Sequence, residues 1–492
     1  MFKLEALPLE LETLLAQQDR IDPIWIVGGA IRDHLLRRHS HDVDFTTSGD
    51  AIALARRVAD QLGADVYILD GERGAGRVLH RTPDGRRQTF DFAQLRGDTI
   101  EADLRDRDFT VNALGLRISA LEMMIDPCGG LQHLRDGIIE LCAADAIDRD
   151  PVRALRAIRL ATDLGFRISH STTSAIRATA SLSQISAERI RDEFFNTLAL
   201  MDPTPAFQLL AHLKLLPLIF QHRDPDLEPD ALSLEDRETM ELALRGLRHL
   251  VSILRLLAPE ADLESAAQAA LGLLTWTLGR FRLPLGGYFQ EELSFNHKRR
   301  ELILMATFLY PLFPSEPAGS TPPTDETLRR GSRQKCEQIG AQLRLSRDEI
   351  EWFDRWIEAL KFLEHPSDPA ANIDLLSYRY YRQARDAGVA SVLSMLAYEL
   401  AQQIEPPAPE RWTARIEIAR THLDAWFDKH DVLVDPQSLI DGHDVMESLG
   451  SKPGPEIGRI IEHVREGQVV GGLATRKQAI AFIKKEFGSR SG

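Results

Sequence analysis

The sequence predicts an α/β head, a mixed sheet with helices, followed by an all-α neck, body and tail. Short apolar runs of strand length (IWIVGG, ADVYILD, QTFDFAQL and EMMIDP) mix with helical segments only in the first 140 or so residues. From Pro151 onward nearly every periodic segment has helical spacing: PVRALRAIRLATDLGF, SAERIRDEFFNTLAL, TPAFQLLAHLKLL, RETMELALRGLRHLVSILRLL, RDEIEWFDRWIEALKFLEH and WTARIEIARTHLDAWFDKH. At 492 residues the chain has room for about three domains. We divide it into a head at 1–140, a helical neck at 141–200, a helical body at 201–370 and a helical tail at 371–492. The Pro-, Ser- and Thr-rich stretch 313–327 reads as an exposed loop or linker and 405–411 as a second break, with no internal repeat.

Composition narrows the function classes. Hydrophobic residues make up 43% and charged residues 27%, which excludes a wholly disordered or fibrous chain. Lys and Arg number 59 against 74 Asp and Glu, a net charge of −15, so any nucleic-acid partner must be held by local basic patches rather than bulk charge. Cys128, Cys142 and Cys336 are widely spaced and form no C-x-x-C pair, so the sequence supports neither a disulfide framework nor a thiolate zinc site, and a reducing cytoplasm fits. The amino-terminal leucines are interrupted by Glu5, Glu10 and Glu12, unlike a secretory signal. The apolar-rich run LGLLTWTLGRFRLPLGG contains arginines and a proline and is too short to span a bilayer, so we expect no membrane association.

The chemistry concentrates in IWIVGGAIRDHLLRRHSHDVDFTTS. An apolar strand, Ile24 to Val27, runs into Gly28-Gly29 and a helix with Arg32 one turn in. Two glycines between strand and helix let backbone N–H groups approach a phosphate, and Arg32 adds a cation for the same group. Further on, Asp42 and Asp44 flank Val43 in a second strand, where the two-residue repeat puts both carboxylates on one face. Such a pair suits one or two Mg²⁺ ions that share coordination with substrate phosphates, the layout of metal-assisted phosphoryl or nucleotidyl transfer. Asp91, between Phe90 and Phe92 in a third strand, either completes that site or is a hydrogen-bonded edge residue.

These residues resemble the class II tRNA nucleotidyltransferases and the related bacterial poly(A) polymerases. That family's signature is a GG-x-x-RD turn, an Asp-x-Asp strand, an RRDFT-x-NA segment, a DP-x-GG turn and an ED-x-x-R helix start. Here the order is Gly28-Gly29-Ala30-Ile31-Arg32-Asp33, Asp42-Val43-Asp44, Asp106-Arg107-Asp108-Phe109-Thr110-Val111-Asn112-Ala113, Asp126-Pro127-Cys128-Gly129-Gly130 and Arg149-Asp150-Pro151-Val152-Arg153. A weaker likeness continues through residues 186–194 and in DGHDVMESLGSKPGPEIGRIIEHV, whereas 200–430 matches only in helical character.

The resemblance implies a nucleotidyltransferase head that moves nucleotides from CTP or ATP to the 3′ end of tRNA, with Mg²⁺ at Asp42 and Asp44. Catalytic residues would be Asp42, Asp44 and Asp91. Nucleotide-binding residues would be Gly28, Gly29, Arg32, Arg107, Asp108, Asn112, Asp150, Arg153, Arg156 and Arg159. Asp108 would read the ribose 2′-hydroxyl, while Asp150 and Arg153 would read the edge of the incoming base. The tail would bind tRNA. From the residues alone, Arg107 and Asp108 also read as an ion pair steering a turn. Asp150 likewise reads as an N-cap with Pro151 at the first helical position. The helix that follows carries Arg153, Arg156 and Arg159 between apolar residues and looks wedged against a polar ligand.

Two positions depart from the family pattern: Arg149 stands where an acid is usual and Asp106 where an arginine is usual. The change of sign at both would be compensatory if the two touch. The stretch between Asp91 and Asp103 is short, resembling the CC-adding subset rather than enzymes that add a full CCA.

Several other signals have a plainer reading. SYRYYRQAR, residues 377–385, suits base stacking, but helix packing with a solvated basic face accounts for it better. Arg476, Lys477, Lys484 and Lys485 read equally as a tRNA contact or a solvated helix end. His41-Asp42, His430-Asp431 and His443-Asp444 are too scattered for a phosphohydrolase. The alternatives are a poly(A) polymerase on other RNA 3′ ends, a catalytically idle RNA-binding factor, and a nucleotidyltransferase for small molecules.

Overall fold

The computed structural model describes residues 7–40, 42–82, 85–179, 181–220, 236–260, 269–294, 297–313, 325–364, 372–402 and 408–488. The chain divides into two compact units, the first running to Glu193 with His212–Leu218, the second taking Phe194–Ala211 and everything from Ile219 onward.

The first unit is built on a seven-stranded mixed sheet. Its elements are α1 (Leu9–Gln18), β1 (Ile24–Val27), α2 (Gly29–Leu35), β2 (Asp42–Thr47), α3 (Ala51–Leu62), β3 (Asp65–Asp70), β4 (Ala75–Arg81), β5 (Arg87–Gln94), α4 (Ile100–Arg105), β6 (Gly115–Arg117), β7 (Ala120–Ile125) and α5 (Gly130–Asp136). The strand order is β3-β4-β5-β2-β1-β6-β7. The β2–β5 pair is parallel and the other neighbours are antiparallel. The four apolar runs became β1, β3, β5 and β7, whereas β4 (AGRVLHR) and β6 (GLR) have no apolar run to announce them. In β4 only Gly76 and Val78 point into the core, so Arg77 and Arg81 disguise it.

Beyond the sheet lie β8 (Ile138–Ile139), α6 (Ala146–Arg149), α7 (Val152–Leu164), β9 (Arg167–Ile168), α8 (His170–Arg177) and α9 (Ala187–Leu198). On α7 the residues Val152, Ala154, Leu155, Ala157, Ile158, Leu160 and Ala161 are buried, covering much of its circumference as the sequence suggested. Asp150 does not cap it. The helix begins at Val152, and its terminus makes no side-chain capping bond. The DPCGG turn is structural: Asp126 accepts from the N–H groups of Gly130 and Leu131 at 2.7 and 3.0 Å and starts α5. A Cβ at Gly130 would overlap the Thr110 carbonyl oxygen.

The rest of the chain is mostly helical: α10 (Thr204–His212), α11 (Leu216–Ile219), α12 (Arg237–Leu256), α13 (Ala269–Leu278), α14 (Arg282–Gln290), α15 (Arg299–Leu309), α16 (Asp325–Gln342), α17 (Arg347–Glu364), α18 (Ile373–Ala384), α19 (Ala387–Ala401), α20 (Pro409–Phe427), α21 (Gly442–Leu449), α22 (Pro455–Val469) and α23 (Arg476–Phe487). The second unit's core gathers on α19, buried along almost its whole length because its small residues admit close neighbours. Most of the 313–327 stretch, residues 314–324, lies outside the described residues, as do 405–407. No described helix is long and apolar enough to cross a membrane.

The tyrosines of SYRYYRQAR are core residues. Tyr378, Tyr380 and Tyr381 are fully buried. The basic face is exposed as expected, and on it Arg379 and Arg382 donate to Glu466 and Glu462 of α22 at 2.6 and 2.9 Å. Arg476 likewise pairs with Asp444.

Behind β2 and β5 the rings of Phe45 and Phe92 stack with centroids 4.9 Å apart. Phe92→Ala should cost about 3–5 kcal/mol through the cavity it leaves, read as a lowered denaturation midpoint at unchanged slope. A loss under about 1 kcal/mol would show that this stack does not support the sheet.

Candidate active site

Strand alternation builds the site. Val43, Phe45, Phe90 and Phe92 turn into the core, which sends Asp42, Asp44 and Asp91 to the opposite face. Register then aligns side chains across three strands: Asp44 lies opposite Asp91 in the parallel β2–β5 ladder, and Arg77 lies opposite Asp91 in the antiparallel β4–β5 ladder. Arg77 donates from Nε and Nη2 to the two oxygens of Asp91 at 2.8 and 2.7 Å. Asp91 is thereby occupied as a hydrogen-bonded neighbour. Asp42 and Asp44 accept no hydrogen bond from another described residue through their carboxylates. Burial pushes the Asp44 carboxyl up to about 6; Arg107 pulls it down, while Asp91 and Asp42 push it up again.

Gly28 is required where it stands. Its φ is +81°, and a Cβ there would come within 2.9 Å of Arg107 Nη1 and 3.1 Å of Asp44 Oδ2. Its absence lets the guanidinium and the carboxylate close over the strand end. Arg32 does not face open space: its Nε and Nη2 donate to Asp33 at 2.8 and 2.9 Å and its Nη1 to Asn112 Oδ1 at 2.6 Å. Asn112 Nδ2 donates on to Asp108 at 3.2 Å, and Arg156 Nη1 donates to the other oxygen of Asp108 at 3.1 Å. Glu193 of α9 then accepts from Arg156 Nε at 2.9 Å and Arg159 Nε at 2.8 Å. Charges alternate along this chain from Asp33 to Arg159. Burial alone would raise the Asp108 carboxyl, but Arg156, Asn112 and the Phe109 N–H outweigh it and hold it below the ordinary range.

Asp150 and Arg153 meet at the start of α7. Asp150 Oδ2 accepts from Arg189 Nη2 at 2.7 Å, and Arg153 Nη2 donates to the Asp106 carbonyl at 3.2 Å. The other polar ends, Asp150 Oδ1 and Arg153 Nη1, are buried without a partner. The two residues stand close, with Arg153 Nε 4.0 Å from Asp150 Oδ2, and a buried acceptor and donor left unsatisfied on such neighbours ask for a ligand with complementary groups. They line a cleft of about 1160 Å³ that also holds Asp44, Asp91, Arg107, Asp108 and Arg156. A second hollow of about 530 Å³ adjoins it at Gly28, Gly29, Asp42 and Asp44.

Comparison with known proteins agrees along the whole chain. Residues 24–140 match the family of the poly A polymerase head domain, 165–229 that of an RNA- and SrmB-binding site of polymerase A, and 331–483 that of tRNA nucleotidyltransferase domain 2. The chain is 28% identical to a CC-adding tRNA nucleotidyltransferase of Geobacter sulfurreducens, covering 94% of this chain and 91% of that one. It is also 28% identical to an A-adding tRNA nucleotidyltransferase of Deinococcus radiodurans, covering 94% of both. The chain belongs to the class II tRNA nucleotidyltransferase and bacterial poly(A) polymerase family. The fold agrees with a solved CCA-adding enzyme in complex with CTP, with a TM-score of 0.62 at 17% identity over 99% of this chain and 97% of that one.

Asp106 and Arg149, the two positions where the sequence departs from the resembled signature, do touch. Arg149 Nη1 donates to Asp106 Oδ1 at 2.5 Å, so the exchanged charges form an ion pair. Three participants escaped the sequence reading: Arg77, hidden in a strand without an apolar run, and Arg189 and Glu193, visible only as charges on an amphipathic helix. Their partners come from distant segments, which no local pattern reports. Among the described residues no group of three or more acidic, His or Cys side chains converges on one point. Two open carboxylates still fit Mg²⁺, which binds through one or two carboxylates and completes its shell with water and substrate phosphates. His41, beside Asp42, lies outside the described residues.

Because its folded value is raised, ionised Asp44 costs stability, fully above that value and less as pH falls through it. In metal-free protein Asp44→Asn should therefore raise stability by up to about 3 kcal/mol near pH 8 and by about 1 kcal/mol near pH 4.5. Denaturant midpoints at the two pH values check this, and an equal effect at both would show that the carboxylate is not strained.

Proposed function

We propose that this protein transfers nucleotides from CTP, ATP or both to the 3′ end of tRNA, in synthesis or repair of the CCA end, releasing pyrophosphate. The observation that carries the reading is the unsatisfied Asp150 Oδ1 and Arg153 Nη1 pair in the same cleft as Asp44 and Asp108. A donor and an acceptor side by side match a base edge, so side chains can choose the nucleotide without a nucleic-acid template. The named activities of the relatives, CC-adding and A-adding transfer to tRNA, support the same reading.

Asp42 and Asp44 would hold Mg²⁺. Bound there, the ion would supply Lewis-acid stabilisation of charge on the reacting phosphate and help ionise the RNA 3′-hydroxyl. Gly28 and Gly29 leave room for the triphosphate beside Arg107, and Arg156 adds charge from α7. Asp108, held below the ordinary carboxylate range by Arg156, stays an acceptor for the ribose 2′-hydroxyl. Arg32 and Asn112 orient Asp108, and Arg159 shares Glu193 with Arg156. Asp91 keeps Arg77 against the row of acids. We keep the head, neck, body and tail divisions at 1–140, 141–200, 201–370 and 371–492 as a proposal, with the tail as a tRNA contact. A reducing cytoplasm suits the free thiols of Cys128, Cys142 and Cys336.

The finer reading is addition of two C residues without the terminal A. It rests on the short link from β5 to α4, residues 95–99, tied down by Leu95 N–H to Thr47 O at 2.9 Å and Arg96 N–H to Asp103 Oδ1 at 3.0 Å. The match to the poly A polymerase head domain favours a second reading, poly(A) synthesis on other RNA, which product length separates.

The test is incubation with Mg²⁺ and tRNA transcripts ending before CCA, after C and after CC, with CTP and ATP separately and together. Two C residues and a stop are expected. Addition of A to the CC-ended transcript would replace the CC reading with A or full CCA addition, and no addition to any transcript would refute the tRNA reading. Asp42→Ala should lower the rate about 10³-fold or more with tRNA binding retained.

A further inference from the structure

Asp106 and Arg149 each sit directly before residues to which the proposed function gives recognition roles. Asp106 precedes Arg107 and Asp108, which border the phosphate and ribose side of the cleft; Arg149 precedes Asp150, on the base side. Asp106 caps the C-terminal end of α4 and Arg149 closes α6, so their ion pair joins two helix ends brought together from 43 residues apart. The contacts converge further. The Asp106 carbonyl accepts from Arg153 Nη2 at 3.2 Å, Arg96 Nη1 stands 3.8 Å from Asp106 Oδ2, and Arg149 Nη2 lies 3.3 Å from Asp145. Arg153 is thus held by the backbone of the residue that Arg149 holds by its side chain.

Stability does not explain this pair. Both side chains are about two-fifths exposed, at 41% and 42%, where ion pairs contribute little to folding. Its value lies in position: with Asp106 fixed, its carbonyl stays within reach of Arg153 Nη2, while Arg153 Nη1 and Asp150 Oδ1, buried at the cleft wall, keep no hydrogen-bond partner.

We propose that Asp106 and Arg149 form a positioning latch that couples the base-reading pair Asp150/Arg153 to the ribose- and phosphate-facing pair Arg107/Asp108. Both latch residues line the cleft wall, and the role assigned to them is to hold their neighbours rather than to read the nucleotide. The latch is indifferent to which partner carries which sign, so the exchanged arrangement in this chain preserves it. This inference rests on the proposed function for the identity of the ligand, and on geometry alone for the coupling.

The test is a charge-reversal cycle in the full chain: Asp106→Arg, Arg149→Asp and the two together. Two readouts are taken, equilibrium binding of CTP and ATP in Mg²⁺ without tRNA, and KM, kcat and UTP misincorporation on tRNA lacking CCA. Melting temperature checks the fold of each variant. Each single reversal should weaken nucleotide binding and raise KM about 10-fold or more, with kcat less affected and UTP accepted more readily. The double reversal should recover most of the loss, since Arg96 is exposed and can turn away from a new arginine. Single variants that keep the parent's binding and selectivity would overturn the latch. Losses that merely add in the double reversal would overturn it too, because two independent residues do not rescue each other. If the parent binds nucleotide, shows the rescue and yet extends no tRNA, the latch stands and the tRNA reading falls. A parent that binds neither nucleotide overturns both.

Discussion

Asp44 and Asp91 stand side by side on parallel strands, with Asp42 one pleat away, and the nearby cations do not suffice for all three. Arg77 makes its two hydrogen bonds to Asp91 and helps Asp44 only through its charge, and Arg107 is shared between Asp44 and Asp103. What remains is a partly buried carboxylate whose charged form is disfavoured until something positive arrives. Much else follows from keeping that imbalance in place. The phenylalanines behind the strands fix which face the acids occupy, and Gly28 keeps the strand end open enough for Arg107 to approach.

The neck solves a related problem with the opposite sign. Arg153, Arg156 and Arg159 point from one helix toward the cleft and the hollow that adjoins it, and uncompensated they would repel each other. Glu193 binds two of them, Asp108 takes a further contact, and the Asp106 carbonyl holds the third. Each arginine keeps its direction while its charge is only partly spent. The one donor and one acceptor left over, on Arg153 and Asp150, lie where those restraints converge. A base-sized ligand gains most where the protein has already paid the cost of ordering the groups that read it.

Much of this was legible in the sequence because the acidic face of the sheet depends on local rules. Period-two alternation announced that Asp42 and Asp44 share a face, and the glycine pair announced a crowded strand end, where Gly28 leaves room for Arg107 and Asp44. The strand with Arg77 was not legible, since Arg77, His80 and Arg81 break up its apolar residues and only Gly76 and Val78 are buried. Asp150 was read as a possible cap because a proline follows it, whereas the side chain turns to Arg189 from α9. The contact of Arg149 with Asp106 could be asked of the sequence but not answered, because sequence spacing says nothing about which helix ends meet. The tyrosines of α18 went the plainer of their two ways, their rings being large enough to fill the core between helices.

The central claim is that the open pair of carboxylates is completed by a cation arriving with the nucleotide. The most direct measurement is the affinity for CTP and ATP, without tRNA, across a range of Mg²⁺ concentrations in the parent and in Asp42→Ala. The account requires Mg²⁺ to tighten nucleotide binding by about 10-fold or more in the parent and hardly at all in the variant. The same Mg²⁺ dependence in both proteins would contradict it.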